Sequence, residues 1–331
     1  MATALSALLS WPTVALASGP SPLEELTRLR AALGPACPRL FIKRDDLLSF
    51  GMGGNKVRKM QTVAAEAMAA RADTLITCGG VQSNHARVTA AAGAALGLHV
   101  LLVLNRPAAV HGVEPSTDTG NARLDRLFGA DKQFVDSREE RARAMEEAAA
   151  SLIAGGRSPF IVPLGASTPV GAIGFARGVA EVVSAGLSPD AIVHSTSSGG
   201  TQAGLVAGCA LFGMPARVIG ISADDPPAVL TAVIQDLIGG VAERLGAKPA
   251  SAGADREIVV DDRQVGDGYG VPTPASIEAT SLVARREGIV LDPTYTSKAM
   301  AGLIALIREG AFRSGDTVLF WHTGGMPGYF A

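Results

Sequence analysis

Cysteine, aromatic side chains and clustered positive charge are all scarce in this sequence of 331 residues. The three cysteines and five histidines show neither metal-ligand spacing nor a Cys-x-x-Cys pair. We therefore expect no bound metal and no disulfide framework, but buried thiols in a reducing, cytoplasmic setting. Aromatic residues make up 5% of the chain, and the net charge is -2 without a long basic run. Since nucleic-acid binding needs clustered Lys and Arg and often stacking rings, we expect no nucleic-acid partner.

Long apolar runs are also missing. No segment offers about 20 unbroken apolar residues, so we expect no membrane span. The first nineteen residues are mildly apolar, but they lack a basic segment and Trp11-Pro12 interrupts them, so we expect no signal peptide. Hydrophobic residues make up 47% and charged residues 18%, which is typical of a globular protein. The length predicts two lobes or one large α/β domain.

Short β-rich segments alternate with longer alanine-rich segments along the chain. This alternation predicts crossover connections and therefore a mostly parallel α/β arrangement. The predicted strands are 40–43, 74–77, 100–104, 133–135, 160–162, 191–194, 218–221 and 317–321. The predicted helices are 57–70, 84–96, 122–128, 138–153, 171–185, 202–212, 228–245, 276–287 and 297–309. Pro, Gly and Thr between residues 106 and 121 predict a surface loop.

A glycine-rich loop leads into a basic helix start at residues 51–59, GMGGNKVRK. The loop allows a ligand to approach closely and delivers Lys56 to the first helical turn. The positive end of the helix, together with Arg58 and Lys59, should lower the pKa of Lys56. A lowered pKa favours the neutral amine that forms a Schiff base. A solvated basic helix start is the alternative interpretation.

A polar cluster, CGGVQSNH, follows a predicted strand and opens a helix at residues 78–85. Ser83 or Asn84 could cap that helix. The free backbone N–H groups could equally bind a carboxylate together with the side chains. Four polar side chains at the carboxyl end of a strand favour a binding site, because ligands of open α/β sheets lie at that end.

A loop of small residues, STSSGGT at 195–201, also joins a predicted strand to a helix. Hydroxyls and glycines at a helix N-terminus favour an anion, and a phosphate monoester fits best. The loop has neither the Gly-Lys-Ser/Thr of a Walker motif nor Gly-x-Gly-x-x-Gly, so no dinucleotide fingerprint is present. Close helix packing is the alternative reason for such small residues.

Two of the three tyrosines, Tyr269 and Tyr295, lie in loops flanked by Gly or Pro. Packing alone more often places tyrosine on a strand, so these two are site candidates. Thr323 follows the last predicted strand at its carboxyl end, where a ligand is again expected.

Together these segments resemble the D-cysteine desulfhydrase and 1-aminocyclopropane-1-carboxylate deaminase family, which are pyridoxal-phosphate enzymes of the tryptophan-synthase-β fold type. The motifs that carry the resemblance are IKRDD, GGNKVRK, VQSNH, SGGTQAG, GYGVP, LDPTYTSKAMAGLI and HTGG. They cover nearly the whole chain, and the combination is specific although no single motif is. The resemblance implies fold type II, with two open, twisted, mostly parallel sheets flanked by helices, and pyridoxal 5'-phosphate as the cofactor.

The resemblance also assigns the cofactor contacts. It implies that Lys56 forms the Schiff base and takes the Cα proton, that Asn84 contacts the 3-hydroxyl, and that Thr323 faces the pyridine nitrogen. The phosphate would be bound by Ser197, Ser198, Gly199, Gly200 and Thr201. Relatives often carry glycine at the position of Ser197, which leaves the individual phosphate donors open.

The implied substrate contacts lie on the two other motifs. Gln82 and Ser83 would hold the substrate carboxylate, and Asn84 would be a further substrate contact. Tyr269 and Tyr295 would flank the substrate, and one of them would relay a proton. Ser83 and the two tyrosines are therefore catalytic candidates beside Lys56.

Thr296 bears on the reaction. In the deaminases a glutamate follows the tyrosine that matches Tyr295 and pairs with the pyridine nitrogen, whereas this chain has Thr296. A hydroxyl cannot supply that charge, which favours expulsion of a good β-leaving group over opening of a cyclopropane ring. His85 after Asn84 points the same way. The expected reaction is β-elimination from a small amino acid such as D-cysteine, giving pyruvate, ammonia and sulfide. L-cysteate sulfo-lyase and 1-aminocyclopropane-1-carboxylate deaminase are the alternatives.

We expect a large cofactor-binding domain from residues 1–56 and 167–331, and a small domain from residues 57–166. The cofactor would lie between them, and the protein would be a homodimer that acts on a small amino acid. A nucleotide-dependent oxidoreductase is disfavoured by the missing dinucleotide motif. A non-catalytic amino-acid-binding protein on the same fold is disfavoured by the presence of Lys56, Asn84 and both tyrosines.

Overall fold

A computed structural model describes residues 2–105, 116 and 118–331 of the chain. The strands are β1 Leu23–Glu25, β2 Arg39–Arg44, β3 Thr74–Gly80, β4 His99–Asn105, β5 Asp131–Val135, β6 Pro159–Val162, β7 Ala191–Thr196, β8 Arg217–Ser222, β9 Val259–Asp261 and β10 Thr317–His322. The helices are α1 Ala2–Leu9, α2 Thr27–Leu33, α3 Asn55–Ala69, α4 Asn84–Leu96, α5 Gly120–Leu127, α6 Arg141–Ala154, α7 Pro169–Ser184, α8 Gly200–Leu211, α9 Pro227–Arg244, α10 Pro274–Glu287 and α11 Thr296–Arg308. Within the described ranges, no helix has the length and apolar character needed to cross a membrane.

The strands form two sheets. A six-stranded sheet has the order β1-β2-β10-β7-β8-β9, in which only the β1–β2 pair is antiparallel. A four-stranded, wholly parallel sheet has the order β5-β4-β3-β6. All four strands of the smaller sheet lie within residues 57–166, the segment expected to form the small domain. The boundaries of that domain stay a prediction.

Both faces of the six-stranded sheet are buried under helices. On β10, Leu319 and Trp321 enter the core under α7, α8 and α9, while Val318 and Phe320 enter the opposite core under α10 and α11. This alternation follows from the two-residue period of a strand. It explains why the central strands are apolar throughout, as parallel strands covered on both faces usually are.

Helices α7 and α8 pack closely because small residues line their contact. A Cβ atom added to Gly204 would lie 2.6 Å from the carbonyl oxygen of Ala172. The SGGTQAG segment therefore has a packing role at Gly204, next to the binding role expected for its first residues.

Short elements account for the differences from the predicted pattern. The structure contains two helices, α1 and α2, and two three-residue strands, β1 and β9, that were not predicted. Elements this short show no clear periodic pattern of hydrophobic residues in the sequence. Helix α6 begins at Arg141 rather than at residue 138, and α5 begins at Gly120 inside the segment predicted as a loop. Residues 106–115 and 117 of that predicted loop lie outside the described part of the chain.

A buried acid on α5, Asp125, lacks a hydrogen-bond partner among the described residues. Burial raises its pKa to about 7, against weaker opposing effects of Lys132 and Arg87. In the unfolded chain an aspartate titrates near pH 4. The folded state therefore binds more protons between about pH 4 and pH 7, and the free energy of unfolding should fall as the pH rises through this window.

The Asp125→Asn variant is expected to lose this pH dependence. It should be about 2–4 kcal/mol more stable than the wild type at pH 8 and nearly equal to it below pH 4, because the amide carries no charge to bury. Urea unfolding of both proteins at several pH values measures the difference. Asp118→Asn is the control, since its exposed ion pair with Arg126 should contribute little at any pH. Parallel stability curves for the wild type and Asp125→Asn would contradict the prediction.

Candidate active site

A cavity of about 620 Å³ opens where the carboxyl ends of strands from the two sheets face each other. Ten of the residues expected at the site line it: Lys56, Ser83, Asn84, Ser197, Ser198, Gly199, Thr201, Tyr269, Tyr295 and Thr323. Gln82 and Gly200, both also expected there, are not among the lining residues of the described chain. The four motifs, which are far apart in the sequence, therefore meet in one cavity.

Lys56 reaches the cavity from the first turn of α3. Burial lowers the pKa of its amine to about 8. The direction agrees with the sequence prediction, and burial is its cause, while the Arg58 charge is held by Asp45 and Glu181. The loop before the helix is fixed at its end, where the Asn55 backbone N–H donates to the Thr323 carbonyl oxygen at 2.9 Å.

The small-residue loop before α8 lies against a second lysine, Lys59, which is fully buried. Its Nζ donates to the Gly165 carbonyl oxygen at 3.1 Å and to Ser167 Oγ at 3.2 Å. A Cβ atom on Gly200 would lie only 2.8 Å from Lys59 Nζ, so glycine is needed for this approach. Lys59 lies three positions after Lys56 and therefore on the same helix face, a spacing that could have indicated its place at the site.

The same loop offers hydroxyl groups. Ser167 Oγ donates to Ser198 Oγ at 2.8 Å, and Thr201 Oγ1 accepts from Asn55 Nδ2 at 2.9 Å. Thr196 Oγ1 is buried without a hydrogen-bond partner among the described residues. Burial and the nearby Lys56 lower the pKa of Lys59 well below its ordinary value, and a bound phosphate would favour its charged form. Together with the free N–H groups at the start of α8, these hydroxyls and the Lys59 amine form a site for a phosphate.

The start of α4 carries the polar cluster after β3. Ser83 caps the helix, since its Oγ accepts from the Ala86 N–H at 3.2 Å, and Asn84 Oδ1 accepts from Asn121 Nδ2 at 3.0 Å. Gln82 instead turns toward α5, where its Oε1 accepts from the Asn121 backbone N–H and its Nε2 donates to the Thr119 carbonyl oxygen. The geometry thus places Ser83 and Asn84 in the cavity and gives Gln82 a supporting position behind them.

The two tyrosines form a pair on the opposite wall. The hydroxyls of Tyr269 and Tyr295 are hydrogen-bonded to each other, and the ring centroids lie 5.8 Å apart. Burial raises the pKa of the Tyr295 hydroxyl well above its ordinary value, and desolvation of the hydroxyl end of the half-exposed Tyr269 raises the pKa of that group too. Both tyrosines therefore keep their protons at neutral pH. Behind them, Lys298 Nζ donates to the carbonyl oxygens of Val265 at 2.7 Å and Gly268 at 2.8 Å, which fixes the Tyr269 loop.

Hydroxyl groups, rather than a carboxylate, occupy the wall at Thr323. Its Oγ1 lies 2.9 Å from Ser195 Oγ. Thr296 stands where a glutamate was expected in the deaminases. Its hydroxyl donates to Asp292 Oδ1 at 2.7 Å, and Thr296 is not among the residues that line the cavity. Ser195 is thus a further member of the site that was not predicted, although it begins the small-residue loop at 195–201.

These residues fit pyridoxal phosphate. The cavity contains an amine with a lowered pKa for the aldehyde, a helix start backed by the buried Lys59 amine for the phosphate, and a hydroxyl pair for the ring nitrogen. The helix start at Ser83 and Asn84 leaves donors for the carboxylate of an amino acid. The described residues contain no cluster of His, Cys, Asp and Glu that could hold a metal ion.

Comparisons with known proteins agree with this geometry. The family model described as "Pyridoxal-phosphate dependent enzyme" matches residues 14–324. A D-cysteine desulfhydrase of Klebsiella pneumoniae (strain 342) is 38% identical over 330 residues, which cover 99% of this chain and 98% of that protein. A crystal structure of an ACC deaminase homologue superposes with a TM-score of 0.89 at 34% identity, covering 100% of this chain and 97% of that one. Threonine deaminase isoform 2 from Solanum lycopersicum shares the fold, with a TM-score of 0.70 at 18% identity, and covers 98% of this chain and 84% of that one.

The expected family resemblance, the α/β fold type II architecture, the pyridoxal 5'-phosphate cofactor and the assignment as a lyase or deaminase are confirmed. The family match spans most of the chain and includes all the motifs that meet in the cavity. The chain belongs to the family of pyridoxal-phosphate dependent enzymes.

Proposed function

We propose that this enzyme eliminates the β-substituent of D-cysteine or a similar small amino acid, releasing pyruvate, ammonia and sulfide. The observation that carries the proposal is the meeting of Lys56, the start of α4 and the tyrosine pair in one cavity. The 38% identity to a D-cysteine desulfhydrase over the full length supports the choice of substrate.

The bound cofactor would supply an aldehyde that captures the substrate amine and a ring that accepts electrons from Cα. Lys56, with a pKa of about 8, is close enough to neutral pH to accept a proton from Cα. Ser83 and Asn84 would hold the substrate carboxylate at the start of α4. The hydrogen-bonded hydroxyls of Tyr269 and Tyr295 would pass a proton to the departing sulfur, because both are protonated at neutral pH.

The hydroxyl pair of Ser195 and Thr323 favours β-elimination over opening of a cyclopropane ring. A carboxylate beside the ring nitrogen would keep that nitrogen protonated and strengthen electron withdrawal, whereas a hydroxyl does this weakly. Departure of a sulfur leaving group needs less withdrawal. 1-Aminocyclopropane-1-carboxylate deamination is the second candidate, because the ACC deaminase homologue has nearly the same fold.

We further propose that the enzyme is a cytoplasmic homodimer in which residues 1–56 and 167–331 form the large cofactor-binding domain. Residues 57–166 would form the small domain, which the all-parallel four-stranded sheet supports. The three cysteines are buried and unpaired, which fits a reducing compartment.

A keto-acid release screen tests the reaction. D-Cysteine and 3-chloro-D-alanine should give pyruvate with kcat/KM at least about 100-fold above that for 2-oxobutanoate release from 1-aminocyclopropane-1-carboxylate. D-Serine, with a poorer leaving group, should be slow. Equally fast release of 2-oxobutanoate would instead indicate the deaminase. A yellow protein that releases no keto acid from any of these substrates would indicate an amino-acid-binding protein.

A further inference from the structure

Asn121, the second residue of α5, is fully buried behind the cavity and has no role in the reaction as proposed above. Both polar atoms of its side chain are hydrogen-bonded. Oδ1 accepts from Arg87 Nε at 2.7 Å, and Nδ2 donates to the Gln82 carbonyl oxygen at 2.8 Å and to Asn84 Oδ1 at 3.0 Å. The amide thus joins Arg87 to Asn84, the residue expected to contact the cofactor.

Two neighbours fix the orientation of the Asn121 amide independently of each other. The Arg87 guanidinium has only donors, so the atom that it contacts must be the amide oxygen. The Gln82 carbonyl oxygen can only accept, so the atom that faces it must be the amide nitrogen. The backbone N–H of Asn121 also donates to Gln82 Oε1 at 2.9 Å, which holds the residue in place. A flipped amide would oppose two donors at Arg87 and two acceptors at Gln82.

The orientation of Asn121 determines that of Asn84 in turn. Because Asn121 presents an N–H group, Asn84 must present its oxygen, Oδ1, to this contact. The N–H₂ group of Asn84 is then the part of the amide that is left for a ligand in the cavity, which Asn84 lines. Each amide of the chain therefore accepts from the residue behind it and donates toward the cavity.

The first member of this chain, Arg87, is also fully buried. Its Nη2 donates to the Gly53 carbonyl oxygen at 3.1 Å, in the glycine-rich loop that leads to Lys56. Burial lowers the pKa of Arg87 to about 10, which still leaves the guanidinium charged at neutral pH. One cation therefore fixes both the Lys56 loop and, through Asn121, the amide of Asn84.

The donor that Asn84 presents matters for a pyridoxal cofactor. The 3-oxygen of this cofactor is phenolic and lies next to the aldehyde, on an electron-poor ring that favours loss of its proton. An N–H donor stabilises the resulting anion, whereas an amide oxygen in the same place would repel it. The side of the Asn84 amide that faces this oxygen therefore decides whether Asn84 strengthens or weakens cofactor binding.

We propose that Asn121 is a positioning residue, which holds the Asn84 amide with its N–H₂ group toward the 3-oxygen of pyridoxal phosphate. Arg87 sets the direction of the hydrogen-bond chain, and Asn121 passes this direction on to Asn84. This role rests on the expected contact of Asn84 with the cofactor and is independent of the β-substituent that the enzyme expels.

The test compares pyridoxal phosphate with 3-deoxypyridoxal 5'-phosphate, which lacks only the 3-oxygen. The holoenzyme is loaded with either cofactor, and the fraction that stays bound at dialysis equilibrium gives each Kd. The Kd of the deoxy cofactor divided by that of pyridoxal phosphate reports the contribution of the 3-oxygen. The intrinsic effect of this oxygen on the bond to Lys56 is the same in every variant and cancels when the ratios are compared.

Asn121→Asp replaces the N–H₂ group by an acceptor of the same shape. It keeps the contact with Arg87, but Asn84 should turn its own N–H₂ group toward the new carboxylate and its oxygen toward the cofactor. We expect the Kd ratio to fall about 10- to 100-fold, and Asn84→Ala to lower it in the same direction. The double variant should match Asn84→Ala, because Asn121 acts through Asn84.

Two further variants separate the role of Asn121 from misfolding and from a change in charge. Asn121→Ala adds no charge and should lower the ratio about 3- to 10-fold, because Asn84 loses the partner that orients it. Arg126→Gln makes the same change in net charge on the exposed side of α5, where Arg126 pairs with Asp118, and should leave the ratio unchanged.

Two outcomes would overturn the role of Asn121. A Kd ratio that keeps its wild-type value in Asn121→Asp and Asn121→Ala would mean that the residue only supports the fold. A further fall of the ratio when Asn121→Asp is added to Asn84→Ala would mean that Asn121 acts on the cofactor by another route. Failure of the proposed β-elimination is seen separately, as the absence of pyruvate, and leaves the Kd ratios unaffected.

Discussion

Replacing Lys56 by alanine is expected to lower the rate of pyruvate release at least about 10⁴-fold, because the variant loses both the amine that anchors the cofactor and the base at Cα. Lys56 lies in the cavity with a pKa lowered to about 8 by burial. Lys59 is also buried nearby, but its Nζ is hydrogen-bonded to Gly165 and Ser167 and should not replace the missing amine.

Three measurements on Lys56→Ala and the wild type test this expectation. Steady-state pyruvate release gives the rate, the visible absorbance shows whether the cofactor is bound through an amine, and borohydride reduction followed by peptide mapping locates the labelled lysine. The label should be on Lys56 in the wild type and absent from the variant. Lys248→Ala, which changes an exposed lysine, should match the wild type in all three. A Lys56→Ala protein that keeps its colour and its turnover would refute the assignment.

The positions of the site motifs could be predicted because parallel strands place their carboxyl ends at one edge. The clusters after β3, β7 and β10 each follow a strand that the hydrophobic pattern located correctly. Since ligands of open α/β sheets bind at that edge, sequence order was enough to bring Ser83, Ser198 and Thr323 into one cavity.

The environment of each side chain was harder to predict, because it depends on what packs against it. Lys59 looked like part of a solvated basic helix start, yet the Gly165 loop and α8 bury it. Gln82 belongs to the polar cluster, but its side-chain amide is hydrogen-bonded to the start of α5. That start lies in a segment that was predicted to be a loop. Arg141, which also lines the cavity, belongs to none of the sequence motifs, because only the fold places the first turn of α6 there.

The largest effect on stability is expected from the buried carboxylate of Asp45, which holds the loop before Lys56. Its two oxygens accept from Arg58 Nε and Nη2 at 2.8 Å each, from Trp321 Nε1 at 2.8 Å and from Ser21 Oγ at 2.7 Å. Its backbone carbonyl oxygen accepts from the Gly54 N–H at 2.8 Å. Asp45, which directly follows β2, thus connects β2 and β10 of the large sheet to the start of α3.

Asp45→Asn should lower the free energy of unfolding by about 3–5 kcal/mol at pH 7, because the buried Arg58 loses the fully buried one of its two carboxylate partners and an amide N–H₂ group faces the N–H donors of Arg58. Urea unfolding measures the loss. Asp73→Asn is the control, since its half-exposed pair with Arg157 should contribute no more than about 1 kcal/mol.

The pH dependence of this loss tests its electrostatic origin. The Arg58 guanidinium, together with hydrogen bonds, holds the pKa of Asp45 below its usual value against the effect of burial. A lowered folded-state pKa stabilises the protein above the unfolded pKa, near pH 4, and this contribution is lost as the pH falls toward the folded value. The difference between wild type and Asp45→Asn should therefore be constant from about pH 5 to pH 8 and shrink below pH 4. A difference that stays the same in acid would mean that the carboxylate acts through its shape and packing, and that its charge does not stabilise the start of the Lys56 helix.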